Sequence, residues 1–304
     1  MRALIHDPAA PQGLALREVP EPEPADGQAL VAVQAIALNF GELAYLEQSR
    51  KPGEVPGWDA AGTVLRAAAD GTGPAPGTRV VTFGWAGAWA EQRAVDVGEL
   101  AAVPAAVDLG QASALPVAAV TALRALRRLG PVVGRRVLVT GASGGVGRFA
   151  VQLAARAGAY VIAAVGRPAR GEGLAGLGAS EVITSLDDLG EPVFGVLENV
   201  GGPLLAEAFS HTGEGGRAVS IGQASQQPTT IDFEEQRQYG GNRHLEPFTV
   251  GAGFGPDLAY LAGLLAAGDL DPQIGWRSSW RQAGEAAAAL LGRQVRGKAV
   301  LDLD

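Results

Sequence analysis

The residues best suited to chemistry lie in one run, Val137-Leu-Val-Thr-Gly-Ala-Ser-Gly-Gly-Val-Gly147. An apolar stretch fit for a buried strand leads into glycines, and Gly145 to Ala157 reads as a helix closed by Gly158. Glycines at a strand-to-helix turn let backbone N–H groups approach a pyrophosphate held at the helix N-terminus. Ser143, Gly144, Gly145, Val146 and Gly147 are therefore candidate dinucleotide ligands, with a plain structural turn as the alternative in a chain of 44 glycines. The strand that follows, Tyr160 to Val165, runs into Gly166-Arg-Pro-Ala-Arg170 with no acid at its end. A carboxylate there would bind ribose hydroxyls and repel a 2′-phosphate, whereas guanidinium groups pair with phosphate through charge-assisted forks. Gly166, Arg167 and Arg170 thus favour NADPH, and solvated loop arginines are the competing reading.

The same loop satisfies Thr-Gly-x-x-x-Gly-x-Gly, the pattern of short-chain dehydrogenases, but two observations oppose that family. Well over a hundred residues precede the loop, and no Tyr-x-x-x-Lys pair exists. Four residues beyond Tyr45, Tyr160, Tyr239 and Tyr260 stand Ser49, Ala164, Arg243 and Leu264.

The elements that position the loop form two patterns. Short extended pieces broken by turn formers fill the first hundred residues: Leu14 to Val19, Ala29 to Ala37, Gly62 to Ala67, Arg79 to Phe83 and Glu91 to Val95. Proline-rich connectors such as residues 20–24 and 71–77 lack ladder donors and belong in surface loops. Asp108 and Ser113 are possible caps, and Ala112 to Leu129 reads as one helix ended by Gly130-Pro131. From Val137 onward strands alternate with helices, through Leu174 to Leu177, Glu181 to Ile183, Val193 to Leu197, Leu204 to Phe209 and Ala218 to Ile221, as in a doubly wound parallel sheet. Asp257 to Ala267 and Trp280 to Leu291 read as helices, and Lys298 to Asp304 as a strand.

Composition excludes several function classes. A net charge of −8 without a Lys/Arg block gives no footprint for nucleic acid or anionic membrane, so a small-molecule partner is expected. The first residues lack the apolar core of a signal peptide and every long apolar run is interrupted, which favours a cytoplasmic protein. With no cysteine, thiolate catalysis and Cys-ligated zinc are impossible. His6, His211 and His244 are too dispersed to form a local metal motif, so no metal is expected.

Several stretches then resemble the zinc-free quinone oxidoreductase and enoyl reductase branch of the medium-chain dehydrogenase/reductase superfamily. Residues 35–42 look like its Asn-Phe-x-Asp segment, 56–64 resemble its Pro-Gly-x-Asp-x-Ala-Gly-x-Val turn, 112–122 are similar to its helix into the cofactor domain, and 292–301 look like its C-terminal strand. The resemblance implies a GroES-like β domain made from 1–113 and 253–304, a Rossmann domain inserted at 114–252, and a substrate cleft at their junction. It places Asn39 near the nicotinamide ribose or substrate and Thr121 at the nicotinamide. It puts Asn199, Val200, Ser220, Gly222, Phe248, Thr249 and Val250 on loops around adenosine and nicotinamide, and Arg293 near the phosphates. Glu42 departs from the branch's Asp, Ser185 from its usual Tyr, and the region around Arg50 is short.

Hydride transfer to an enone or quinone requires a held C4 hydride, a donor to the carbonyl oxygen and a proton source. Tyr45 and Asn39 are the catalytic candidates, a structural Tyr and a turn residue being the alternatives. Trp58, Trp85 and Trp89 offer flat apolar surface to a planar conjugated substrate, or simply core packing. His244 is expected in a polar loop. The sequence does not separate quinone from enone or enoyl reduction. Alternatives are a metal-dependent alcohol dehydrogenase and a cofactor-binding, non-catalytic member of the same superfamily. A homodimer formed by edge-to-edge sheet pairing is expected.

Overall fold

A computed structural model describes residues 1–304. The chain divides into two compact units, one of Met1–Val120 with Gly251–Asp304, the other of Thr121–Val250. The boundaries read from the sequence at 113/114 and 252/253 thus lie at 120/121 and 250/251, the first inside a helix.

The first unit begins with β1 (Arg2–His6), β2 (Leu14–Glu18), β3 (Gln28–Leu38), α1 (Phe40–Ala44) and α2 (Leu46–Ser49). It continues through β4 (Asp59–Arg66), β5 (Arg79–Phe83), β6 (Gln92–Asp96), β7 (Leu100–Ala102) and α3 (Leu109–Ser113). Helix α4 (Pro116–Arg128) crosses into the second unit, which comprises β8 (Arg136–Val139), α5 (Gly145–Arg156), β9 (Tyr160–Ala164), β10 (Glu181–Ile183) and β11 (Val193–Glu198). There follow α6 (Pro203–Ser210), β12 (Thr212–Ser220), α7 (Phe233–Gln238) and β13 (His244–Pro247). The first unit resumes with α8 (Gly255–Ala267), β14 (Ile274–Ser279), α9 (Ala283–Leu291) and β15 (Lys298–Asp302).

In the first unit the strands pair in the order β14-β15-β3-β4-β5-β7. Strands β6 and β15 share one edge of β3 end to end, β6 along residues 28–32 and β15 along residues 35–38. Burial alternates along the start of β3 and becomes continuous from Ala35 to Leu38, the signature of a strand covered on both faces. Ile36 and Leu38 enter a core with Trp89 and Trp280, while Ala35 and Ala37 pack with Ala114 and Val300 on the other side.

In the second unit six parallel strands run in the order β10-β9-β8-β11-β12-β13. The order reverses between β8 and β11, the place where open α/β sheets bind ligands. Leu138, Ile162, Val193, Val196 and Phe209 form its core.

Three sequence expectations are corrected. The helix expected over Ala112–Leu129 is two helices, because Pro116 lacks an N–H and opens α4. The crossover from β9 to β10 carries 3₁₀ turns at Pro168–Gly171 and Ala175–Leu177 in place of an α-helix, since Gly171, Gly173, Gly176 and Gly178 weaken helix formation. The polar loop expected around His244 is β13, paired with β12. No helix is long and apolar enough to cross a membrane.

Candidate active site

Val137, Leu138 and Val139 are fully buried and carry β8 to Thr140, after which the chain turns at Gly141 with a φ of 56°. Gly144 caps α5 from extended backbone and has no side chain to satisfy the first helical N–H groups, which suits an anion. Gly147 has no tolerance for a side chain: a Cβ there would lie 2.4 Å from the Gly141 oxygen and 2.6 Å from the Ala142 Cα. Such close approach is the role of a glycine where a nucleotide-binding helix packs on its strand. Ser143 is buried, and its Oγ accepts a hydrogen bond from Arg170 Nε at 2.8 Å. Arg170 is half-buried and tied to the glycine loop, which counts against the competing alternative of a solvated loop residue. Gly166 and Arg167 are exposed beside it in sequence.

At the end of β11, Glu198 is fully buried. Its carboxylate accepts from Thr140 Oγ1 at 2.8 Å, from the Val200 N–H at 2.9 Å and from the Gly201 N–H at 2.8 Å. Burial pushes its pKa above the usual carboxylate range, against the pull of these donors. Thr140 Oγ1 accepts from the Asn199 N–H at 3.0 Å, and Asn199 Nδ2 donates to the Thr140 carbonyl at 2.9 Å. Asn199 Oδ1 is left buried without a partner. The Ile221 and Gly222 N–H groups donate to the Glu198 carbonyl at 2.7 and 3.2 Å. A Cβ on Gly222 would stand 2.8 Å from the Asn199 carbonyl. Gly201, Leu205, Ser220, Ile221 and Gly222 line a hollow of about 300 Å³. Phe248 is half-buried with its N–H on the Ser220 carbonyl, Thr249 is exposed, and the Val250 carbonyl accepts from Arg124 Nη1 at 2.6 Å. Thr121 is buried on α4 where the second unit begins.

The first unit holds the other candidates. Asn39 precedes α1, and its Nδ2 donates to Glu42 Oε2 and to Asp59 Oδ2, both at 2.9 Å, while its Oδ1 accepts from Lys298 Nζ at 2.5 Å. Both amide N–H groups are thus taken by the carboxyl groups of Glu42 and Asp59, leaving none for a substrate. Lys298 Nζ also lies 3.2 Å from Asp59 Oδ2, and Asp59 Oδ1 accepts from the Val117 N–H at 3.0 Å. Glu42 accepts from the backbone N–H groups of Asn39 at 2.8 Å and Trp58 at 2.7 Å, so the longer acid still closes the local network. Its pKa is raised to about 8, first by burial and then by the charge of Asp59, against the Asn39 bond and Lys298. Arg93, whose pKa burial lowers to about 10, donates from Nη1 to Thr82 Oγ1 at 2.9 Å and to the Trp58 carbonyl at 3.0 Å.

Tyr45 ends α1 and is 41% exposed, and Trp85 is 53% exposed. Trp85 meets Trp58 edge-on at 5.4 Å and Phe83 at 5.0 Å, and its carbonyl accepts from Arg50. Trp89 is corrected from substrate surface to core: it is fully buried, and a Cβ on Gly57 would lie 2.3 Å from its ring. Arg293 is exposed in left-handed backbone just after α9. Ser185 caps a 3₁₀ turn through the Asp187 N–H. His6 lies buried with Nδ1 3.2 Å from the Gly13 carbonyl, and no three His, Asp or Glu side chains gather into a metal-ligand set.

The chain is similar to known proteins. The alcohol dehydrogenase GroES-like domain family matches residues 25–105, and the zinc-binding dehydrogenase family matches residues 145–265. The acryloyl-coenzyme A reductase of Metallosphaera sedula is 30% identical over 245 residues, 69% of this chain and 74% of that one. This chain belongs to the medium-chain dehydrogenase/reductase superfamily, in its quinone and enoyl reductase branch. Another member, the acrylyl-CoA reductase of Ruegeria pomeroyi, is 31% identical over 239 residues, 71% of this chain and 70% of its own. The solved structure of the quinone oxidoreductase from Coxiella burnetii superposes with a TM-score of 0.87 at 26% identity, covering 100% of this chain and 99% of that one.

In this medium-chain dehydrogenase/reductase the first unit is the GroES-like domain and the second the Rossmann domain. The residues the sequence did not single out are Glu198, Asp59, Arg93 and Lys298, all buried. Asp59 is the acid of the Pro-Gly-x-Asp stretch at 56–64, and for the other buried charges the local mark is a charged residue at an apolar run: Glu198 ends Val193-Phe-Gly-Val-Leu-Glu198, and Lys298 opens the last strand. Nothing local says what each would meet.

Proposed function

We propose that this reductase uses NADPH to deliver hydride to a conjugated carbonyl compound, without a catalytic metal. The observation that carries the reading is the bond from Arg170 Nε to Ser143 Oγ, which draws a guanidinium to the glycine loop beside a strand end that has no acid. Two further features fit a dinucleotide: the cradle at Gly147, which admits no Cβ, and the unpartnered Asn199 Oδ1, an acceptor for a ligand hydroxyl or amide. Gly144 to Gly147 would hold the pyrophosphate, Arg167 and Arg170 the 2′-phosphate, and Asn199, Ser220, Gly222 and Phe248 the remaining length. NADPH, when bound, supplies the hydride. Tyr45, with an exposed side chain, is the candidate proton donor, and the exposed Trp85 with Trp58 is the candidate substrate surface. Of the three substrate classes, the acryloyl-CoA reductase relatives favour the enoyl thioester. The missing cysteines remove the usual zinc thiolates. Pairing of two copies through the β13 edge belongs to the same reading.

The test is steady-state oxidation of NADPH and NADH against acrylyl-CoA, an enone and a quinone, before and after EDTA. The expected result is NADPH-preferring turnover that chelation leaves intact. Tight NADPH binding with no turnover on any of the three would favour a non-catalytic role, and activity lost to EDTA and restored by zinc would overturn the metal-free reading.

A further inference from the structure

Three loops rim the switch point of the parallel sheet, those that follow β8, β11 and β12. Open strand ends have no reason of their own to hold such loops in one arrangement, because each loop forms its hydrogen bonds locally or with water. Here one residue touches all three. The side chain of Glu198 binds Thr140 at the mouth of the glycine loop and the Val200 and Gly201 N–H groups of its own loop. The carbonyl of Glu198 takes the Ile221 and Gly222 N–H groups of the third. Thr140 then passes the constraint to Asn199, through its hydroxyl to the Asn199 N–H and through its carbonyl to Asn199 Nδ2. With Nδ2 fixed, the direction of the unpartnered Oδ1 is fixed as well.

We propose that Glu198 is the positioning residue for the dinucleotide, holding the three loops and the Asn199 acceptor in the binding arrangement without touching the ligand itself. The inference rests on the dinucleotide reading above and adds to it a residue and a chemical requirement. The requirement is a full carboxylate: each oxygen faces a backbone N–H that can only donate, Val200 at Oε1 and Gly201 at Oε2, so both oxygens must accept. The Thr140 hydroxyl can turn to accept, but the backbone N–H groups cannot, so a proton or an amide NH₂ on the Oε1 side sets donor against donor at Val200 and one on the Oε2 side at Gly201. No ionised side chain faces Glu198 from β8, from its own loop or from the β12 loop, so burial alone raises its pKa against those three donors. Protonation on acidification would therefore loosen the loops, and dinucleotide affinity should fall as the pH drops.

The experiment measures the equilibrium Kd of NADP⁺ by titration of protein fluorescence between pH 5 and 8 for the full chain and for Glu198→Gln, Glu198→Asp and Thr140→Val, with melting temperatures alongside. Titration of the ligand phosphate is common to all four proteins and cancels in their ratios. The expected result is a Kd weakened about tenfold or more in Glu198→Gln at pH 8, the cost of one opposed buried donor. That variant should also lose the extra weakening at low pH that the parent shows. Glu198→Asp should regain part of the affinity and the pH dependence, since it keeps the charge. Equal Kd and equal pH profile in parent and Glu198→Gln would overturn the proposal, as would equal damage from Gln and Asp. If Glu198→Gln does not fold, Thr140→Val decides: a Kd weakened several-fold supports the proposal and an unchanged one overturns it. A parent that binds neither NADP⁺ nor NAD⁺ overturns the dinucleotide reading itself, and this inference with it.

Discussion

A residue's neighbours decide what its side chain can do. Arg167 and Arg170 read alike in the sequence, yet the structure leaves Arg167 exposed and ties Arg170 to Ser143. If both grip a 2′-phosphate, replacing them with Ala should weaken NADPH binding by roughly tenfold or more and barely change NADH, which has no phosphate to lose. Equal weakening of both cofactors would mean that the arginines only shape the loop through Ser143. Asn39 shows the opposite change, from a candidate for catalysis to the centre of a buried polar cluster whose partners lie as far away as Lys298. Glu42 in that cluster titrates near 8 in the fold against an ordinary value of 4.5. Between those values the folded protein holds a proton that the unfolded chain has released, so stability falls as pH rises across the window and its loss is complete above about 8. The slope from this group is at most about 1.4 kcal/mol per pH unit. Denaturant midpoints at pH 5.5 and 7.5 should show the fall, and Glu42→Gln should flatten it; an unchanged slope would mean Glu42 is already ionised.

At the scale of elements, most of the fold was legible. Periodicity located β2 to β6, the strand–glycine–helix of β8 and α5, and the alternation that marks a doubly wound sheet. It did not find β1, β7, β13 or β14: β7 has three residues, β13 and β14 have no fully buried residue, and β1 is interrupted by the polar Arg2 and His6, so none carries a strong alternation. The candidate site divided the same way. The glycine loop is contiguous and visible, whereas Glu198 with Thr140 joins residues 58 apart, and Lys298 with Asn39 joins residues 259 apart, separations that no local window spans. The glycine loop also gives the sharpest test of an element's geometry. Gly147→Ala places a methyl group against the Gly141 carbonyl and the Ala142 Cα, both backbone, so α5 must move away from β8. Dinucleotide binding should fall by well over tenfold with a clear drop in melting temperature, as for an overpacked core. Gly176→Ala, whose site has open space around it, is the control and should change neither.

For the whole molecule, the order along the chain and the order in space disagree. Residues 121–250 form one unit without a break, while the other unit needs residues from both sides of that insertion. Strand β15 is central to this second need, since it sits between β14 and β3 and brings Lys298 to Asp59 and Asn39. Deleting residues 298–304 should therefore leave 121–250 resistant to limited proteolysis and the first unit open to digestion; protection of both would show that β15 is dispensable. On the ribosome the same geometry sets a timetable. Asp59 and Glu42 emerge early and must wait through more than two hundred residues for the ammonium of Lys298. Until then the edge of β3 that β15 will occupy at residues 35–38 stands bare, a waiting template for any other extended chain. Until residues 298–302 have emerged, the stretch most exposed to aggregation is thus β3, and a holding chaperone would have its target there.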